Sequence, residues 1–168
     1  MNYYNIEIAE NTSNPDILKK ILERDKDDGV SWYAVKNINC PSDILRMVLE
    51  RGKNDNVSQN AAKNPNCPPD ALRTVLERGK DNGVSQWAAR NPNCPPDALK
   101  MVLERGKNDI VSYFASKNPN CPLDAYIKWM RDTGQIGKED PALHIIEYTD
   151  KEDKIDEDLE KLKKMVNY

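Results

Sequence analysis

The chain has 168 residues, of which 38% are apolar and 32% are charged, and its net charge is −3. This length is enough for one domain with a hydrophobic core and too short for two ordinary domains. The net charge is too small to indicate, by itself, a nucleic acid or a membrane surface as partner. No run of apolar residues approaches the roughly 18 that a membrane-spanning helix needs, so we expect no contact with a membrane.

A 27-residue unit repeats along the chain, and cysteine marks it most clearly, at Cys40, Cys67, Cys94 and Cys121. The copy that starts at Asn64 reads NPNCPPDALRTVLERGKDNGVSQWAAR, and the copies before and after it follow the same pattern. A period of this length indicates that each copy is one supersecondary unit and that stacked copies share a continuous core.

Residues 1–10, MNYYNIEIAE, precede the first unit and contain neither the basic nor the apolar region of a secretory signal. We predict that they form a half-unit that caps the N-terminal end of the array. Without an export signal, the expected location is cytoplasmic, where thiols stay reduced. In the first unit, Ser13 aligns with the later cysteines, and we predict helices from Ile17 to Arg24 and from Val30 to Lys36.

The central units carry clear signals for two helices each. In the copy that starts at Asn64, Pro68-Pro69-Asp70 starts a helix that Gly79 ends, so we predict helix A from Pro68 to Arg78. Asp81-Asn82 then caps a shorter helix B from Val84 to Arg90, which ends because Asn91 precedes a proline. Two helices and two tight turns account for all 27 residues of the unit.

The pattern decays after Cys121, where Leu123 to Arg131 is still predicted as helix A of a degenerate fifth unit. The repeat array therefore spans residues 11–133, with four full units and this fifth one. We expect residues 134–168 to form a divergent C-terminal cap, with Pro141 to Tyr148 as a divergent helix B. Apolar residues at helical spacing predict a final amphipathic helix containing Ile155, Leu159, Leu162 and Val166. The sequence thus predicts an all-α, right-handed α-solenoid of two-helix repeats without a sheet.

The phrase from Ala88 to Leu99, AARNPNCPPDAL, resembles the repeat of the leucine-rich repeat variant family. The resemblance covers roughly residues 10–130 and implies an α-helical solenoid similar to ARM and HEAT proteins. Founding members of that family carry an iron–sulfur cluster in a separate cysteine-clustered N-terminal segment. Among these 168 residues there is no such cluster of cysteines, so we expect no cofactor.

The repeated cysteines and asparagines are interpreted as structural. Equivalent residues of stacked units lie one helix layer apart, about 8–10 Å, which is too far for a disulfide or a shared metal ion. Because Ser13 replaces cysteine in a Ser-x-x-Asp capping pattern, we predict that the cysteines occupy the N-cap position of helix A. We also expect the side-chain amides of a second series to bind the backbone of the adjacent turn: Asn39, Asn66, Asn93 and Asn120.

Positions that vary between copies are the best candidates for recognition. Helix B carries aromatic residues at two such positions, and we predict that Trp32 and Tyr113 point outward as anchors for a partner. Trp87 and Phe114 follow as half-buried neighbours. The alternative interpretation is that these aromatic residues only pack the ends of the array.

Basic residues form the alternative face. Helix A repeats a base with a glutamate four residues later, which is typical of a solvated, salt-bridged surface. Loop lysines add a basic edge that could follow phosphates or an acidic partner. The candidates are Lys19, Arg46, Arg73 and Lys100 on helix A, and Lys53, Lys80 and Lys107 in the loops.

No catalytic or metal-binding constellation is recognisable in the sequence, and the single histidine, His144, has no evident catalytic partner. We therefore predict a non-enzymatic, monomeric protein that binds another protein as a scaffold or an inhibitor. Two alternatives stay open. One is a nucleic-acid-binding solenoid that uses the basic rows, and the other is an enzyme with an unrecognised site near the fifth unit.

Overall fold

The computed structural model describes residues 4–136, and this part of the chain is built of helices without any strand. None of these helices is long and apolar enough to cross a membrane. The helices, in chain order, are α1 Ile6–Asn11, α2 Pro15–Glu23, α3 Gly29–Lys36, α4 Ser42–Glu50, α5 Asn56–Lys63, α6 Pro69–Glu77, α7 Gly83–Arg90, α8 Pro96–Glu104, α9 Ile110–Lys117 and α10 Leu123–Asp132. The predicted helices of the first, central and fifth units are confirmed to within two residues at each end.

The even-numbered helices end in a left-handed turn. Gly79 follows α6 with a φ of +65°, and glycine occupies the same place after α4, α8 and α10. Glycine adopts this conformation without the steric cost that a side chain adds. After α2 the position belongs to Asp25, whose φ is +54°, because aspartate is one of the few other residues that tolerate it.

The odd-numbered helices from α3 onward begin with a side-chain cap. At the start of α7, the Oδ1 atom of Asn82 accepts a hydrogen bond from the backbone amide of Ser85 at 3.0 Å. Asp28, Asp55 and Asp109 do the same at α3, α5 and α9. Each cap satisfies one of the backbone donors that a helix leaves free at its first turn.

Contacts between the helices arrange them in two rows. The odd-numbered helices α1 to α9 contact one another in succession, and so do the even-numbered helices α2 to α10. Each even-numbered helix up to α8 also packs against the odd-numbered helix that follows it. Between the rows lies a continuous core whose largest fully buried members include Leu18, Leu22, Leu45, Leu49, Leu72, Leu76, Leu99 and Leu103.

A series of buried asparagines joins consecutive units through their backbones. We call it the buried asparagine ladder, and its members are Asn37, Asn64, Asn91 and Asn118. The Nδ2 atom of Asn91 donates to the carbonyl oxygens of Ala62 at 2.7 Å and Asn64 at 3.1 Å. Its Oδ1 atom accepts from the backbone amide of Asn93 at 2.9 Å. One side chain therefore satisfies three backbone groups where the chain leaves an odd-numbered helix.

The prediction that cysteine caps helix A is wrong. Proline occupies the N-cap position of α6, as Pro68, and no side chain bonds to the first turn. Cys67 lies one residue earlier and is fully buried. In the first unit the cap is Asn14, whose side chain accepts from Asp16, whereas Ser13 is exposed. Ser13 and the cysteines therefore occupy different environments, and the alignment between them does not imply a common role.

The predicted divergent helix B at Pro141 to Tyr148 and the final amphipathic helix lie outside the described residues. The same is true of His144 and of most of the predicted C-terminal cap.

Candidate functional site

The aromatic candidates lie on the odd-numbered helices, in two separate places. Trp32 is half-buried and its ring meets that of Tyr33 edge-on, with centroids 4.7 Å apart. Tyr113 is 50% exposed and meets the half-buried Phe114 at 5.4 Å. Because α5 carries Gln59 and Asn60 at the corresponding positions, polar side chains separate the two aromatic pairs.

Cations connect the aromatic rings from one helix to the next. The Nζ atom of Lys63, at the end of α5, lies 4.6 Å from the ring centroid of Trp87 on α7. The guanidinium of Arg90 lies 4.8 Å from the same ring and 4.6 Å from that of Phe114 on α9. Lys36 lies 3.9 Å from the ring centroid of Trp32 within α3. These distances are within the range of favourable cation–π contacts, so the rings hold the cations in defined positions on the surface.

The cations on the odd-numbered helices form a row that was not among the sequence-based candidates. The last residue of each odd-numbered helix from α3 onward is basic and exposed, and we call these residues the terminal cation row: Lys36, Lys63, Arg90 and Lys117. None of them forms a salt bridge within the described part of the chain. The signal was present in the sequence, as a Lys or Arg directly before the buried asparagine of every copy.

The basic candidates on the even-numbered helices have acidic partners. Arg46 pairs with Asp70 at 2.8 Å, Arg73 pairs with Asp97, and Lys100 pairs with Asp124 at 2.8 Å. The expected pairing with a glutamate four residues later is found only for Lys19 in this row, at 4.0 Å from Glu23. The prediction was wrong for the other three because the aspartate in the first turn of the next even-numbered helix is within reach.

The hydrogen bond from Lys100 lowers the pKa of Asp124 and the same contact raises the pKa of Lys100. Both shifts favour the charged forms, so this pair stays ionised over the physiological range. The base row on the even-numbered helices therefore presents ion pairs to solvent, and little net positive charge.

The loop lysines differ among themselves. Lys53 bonds to Asp25 at 2.6 Å, and this hydrogen bond lowers the pKa of the Asp25 carboxyl. Lys80 and Lys107 are exposed and form no salt bridge among residues 4–136. The basic edge expected from the sequence is thus interrupted at Lys53, whose charge is paired with Asp25.

Two arginines that follow even-numbered helices, Arg51 and Arg105, serve the fold. Arg51 donates to the carbonyl oxygen of Leu22 at 2.7 Å, and Arg105 donates to that of Leu76 at 2.5 Å. Each guanidinium binds a carbonyl at the C-terminal end of the preceding even-numbered helix, where backbone acceptors lack helical partners. These arginines therefore link neighbouring units and are not candidates for binding a partner.

The four cysteines are free thiols, three of them buried and Cys121 half-buried. Burial, with a smaller contribution from a nearby aspartate, raises the pKa of each thiol to about 12. The thiolate is the nucleophilic form and the metal-binding form, so these residues are unreactive near neutral pH. Among residues 4–136, no group of three or more histidine, cysteine, aspartate or glutamate side chains is placed to hold a metal ion.

No protein-family model, curated protein or solved structure matches this chain significantly.

Proposed function

We propose that this protein is a non-enzymatic α-solenoid of the leucine-rich repeat variant type that binds another protein as a scaffold or an inhibitor. In this proposal its units wind with a right hand and a 27-residue period, and it acts in the cytoplasm as a monomer. The NPNCPP turn and the two rows of short helices support this architecture. An array of this kind offers a broad, preformed surface, which suits recognition of a macromolecule.

One observation carries the choice of surface. Most basic side chains on the even-numbered helices form ion pairs, as Arg46 does with Asp70 of the next unit. The odd-numbered helices instead display aromatic rings and basic side chains without an acidic partner in the described structure. Aromatic residues and arginine are enriched in the binding hot spots of protein interfaces, so we assign the partner to this face.

The nucleic-acid alternative has less support. It relied on the base row of the even-numbered helices, and in that row Arg46, Arg73 and Lys100 each face an aspartate. A phosphate would have to displace this carboxylate before it could bind. An enzymatic site near the fifth unit was the other alternative, and His144, the single histidine, lies outside the described residues.

The proposal can be tested by site-directed photocrosslinking in a lysate of the source organism. A photoreactive amino acid replaces Tyr113 on the aromatic face or, as the control, Thr74 on an exposed part of α6. We expect the first variant to capture a defined protein after nuclease treatment, and the second to capture none. Capture only at Thr74, or capture that disappears with nuclease, would overturn the proposal.

A further inference from the structure

The terminal cation row has a regular geometry and a uniform charge. Lys36, Lys63, Arg90 and Lys117 occupy equivalent places on four helices that pack side by side. The helices α3, α5, α7 and α9 contain no acidic residue at all. The row is therefore a strip of positive charge on a chain whose overall charge is −3.

Aromatic rings hold three of the four cations, Lys36, Lys63 and Arg90, in place. Lys63 and Arg90 both lie against the half-buried Trp87, and Arg90 also lies against Phe114 of the next helix. A cation packed on a ring keeps its charge and loses fewer rotamers when it binds a partner than a fully mobile side chain does. Each cation also lies in the last turn of its own helix, where a positive charge is favoured.

The position equivalent to the cations in α1 is acidic. Asn37 of the buried asparagine ladder bonds to Ala9, as Asn64 bonds to Val35, so Glu10 corresponds to Lys36. Glu10 is exposed. The positive strip thus begins at α3 and is preceded by a negative residue in α1. Because the two ends of the strip differ in charge, one orientation of a bound partner is favoured over the other.

We propose that the terminal cation row binds an extended acidic segment of a partner protein. Neighbouring helices lie about 8–10 Å apart. An extended chain in the polyproline II conformation advances about 3.1 Å per residue with three residues per turn, so about three residues span one helix interval and every third side chain lies on the same face. A segment with an acidic residue at every third position would therefore match all four cations. This inference rests on the proposed function and specifies the chemistry of the partner.

The probe is a fluorescent peptide of serine and glycine with glutamate at positions 1, 4, 7 and 10, whose binding to the full chain is followed by anisotropy. A peptide with the same composition but four consecutive glutamates tests the spacing. A single-stranded oligonucleotide of similar extended length tests the nucleic-acid alternative. We expect the spaced peptide to bind more tightly than both of the others.

The decisive variants reverse two charges at a time. Lys63→Glu with Arg90→Glu should weaken binding of the spaced peptide by about tenfold or more, since two attractions become repulsions. Lys80→Glu with Lys107→Glu changes the net charge by the same amount on exposed loops and should weaken binding much less. A spaced peptide with lysine in place of glutamate should bind the first variant better than it binds the unmodified protein. If that variant fails to fold by circular dichroism, Lys63→Gln with Arg90→Gln replaces it.

If both double variants lose affinity for the spaced peptide equally, binding depends only on net charge and the inference is overturned. Equal binding of the clustered peptide, or tighter binding of the oligonucleotide with the same dependence on Lys63 and Arg90, would also overturn it. If none of the probes binds while Tyr113 still captures a protein, the inference fails and the proposed function stands. Loss of capture at Tyr113 would instead remove the proposed function.

Discussion

The side-chain nitrogen of Asn91 lies 2.7 Å from the carbonyl oxygen of Ala62, 29 residues earlier in the chain. This hydrogen bond joins the end of α7 to the end of α5 in an environment where Asn91 is only 3% exposed. The bond between these two residues, repeated in the other units, is therefore a principal polar link along the array.

Asn91→Ala should destabilise the protein strongly. It removes the donor to Ala62 and Asn64 and leaves buried carbonyls without a partner, at a cost of about 1–3 kcal/mol for each unsatisfied group. Asn93→Ala is the matched control, because the stronger bond of Asn93, to Pro65 at 2.6 Å, is exposed to solvent. Urea unfolding followed by circular dichroism measures both. Equal losses in the two variants would contradict the importance of burial.

The two asparagine series show which contacts between units could be predicted from the sequence and which could not. The predicted contact of a side-chain amide with the adjacent turn is confirmed for Asn66, Asn93 and Asn120, which donate to backbone carbonyls of the preceding unit. Within residues 4–136 it is not found for Asn39, the first member of the predicted series, whose backbone amide donates to Asn37. The buried asparagine ladder was missed because the proline that follows Asn64, Asn91 and Asn118 already explained why the helix ends there. Only the packing of one unit on the next reveals that these amides face the preceding turn.

For the candidate site, the sequence predicts which side chains are exposed, but not which side chains pair with one another. The exposed position of Tyr113 follows from helical periodicity. The partner of Arg46 depends on how far α4 lies from α6, and no pattern within one unit contains that distance. The same holds for Lys63, whose contact with Trp87 joins two units. Contacts between units therefore determine which charges are paired and where the aromatic surface lies.

The burial of the cysteines changes the expected effect of substitution. Cys67→Ser would place a hydroxyl in a fully buried site, which costs about 1–3 kcal/mol when no partner is available. Cys67→Ala avoids that cost and leaves only a small cavity. We therefore expect the serine variant to unfold at a lower urea concentration than the alanine variant. A serine variant as stable as the unmodified protein would show that the buried hydroxyl finds a hydrogen-bond partner and would contradict the expected cost.

Because these thiols are buried, we expect the protein to lose stability in alkaline solution. Burial raises the pKa of Cys94 from 9.0 to about 12, while the unfolded chain ionises this thiol near the ordinary value. The unfolded state then binds fewer protons above pH 9, so the free energy of unfolding falls as the pH rises from about 9 towards 12. Thermal unfolding at pH 7 to 10 should show a smaller decline for Cys94→Ala than for the unmodified protein. An identical decline would indicate that other groups cause it.

Substitutions of Gly79 test whether the left-handed turn after an even-numbered helix requires glycine. At a φ of +65°, alanine should cost about 1–2 kcal/mol because its Cβ atom approaches the following carbonyl. Gly79→Asn should cost less, since asparagine tolerates this conformation and Asp25 already occupies it in the first unit. The order of melting temperatures should be glycine, asparagine, alanine. If alanine equals glycine, the turn relaxes to a different conformation.

The last prediction concerns the aromatic anchors, once the partner captured through Tyr113 is in hand. Trp32→Ala and Tyr113→Ala should each weaken binding by about 1–2 kcal/mol or more, as expected for an anchor in a hot spot, with unchanged circular dichroism. The controls are Arg46→Gln and Arg73→Gln, which remove charges already paired with Asp70 and Asp97 and should have much smaller effects. Isothermal titration calorimetry compares all four. Binding that survives without the aromatic residues and fails without the arginines would move the site to the even-numbered helices.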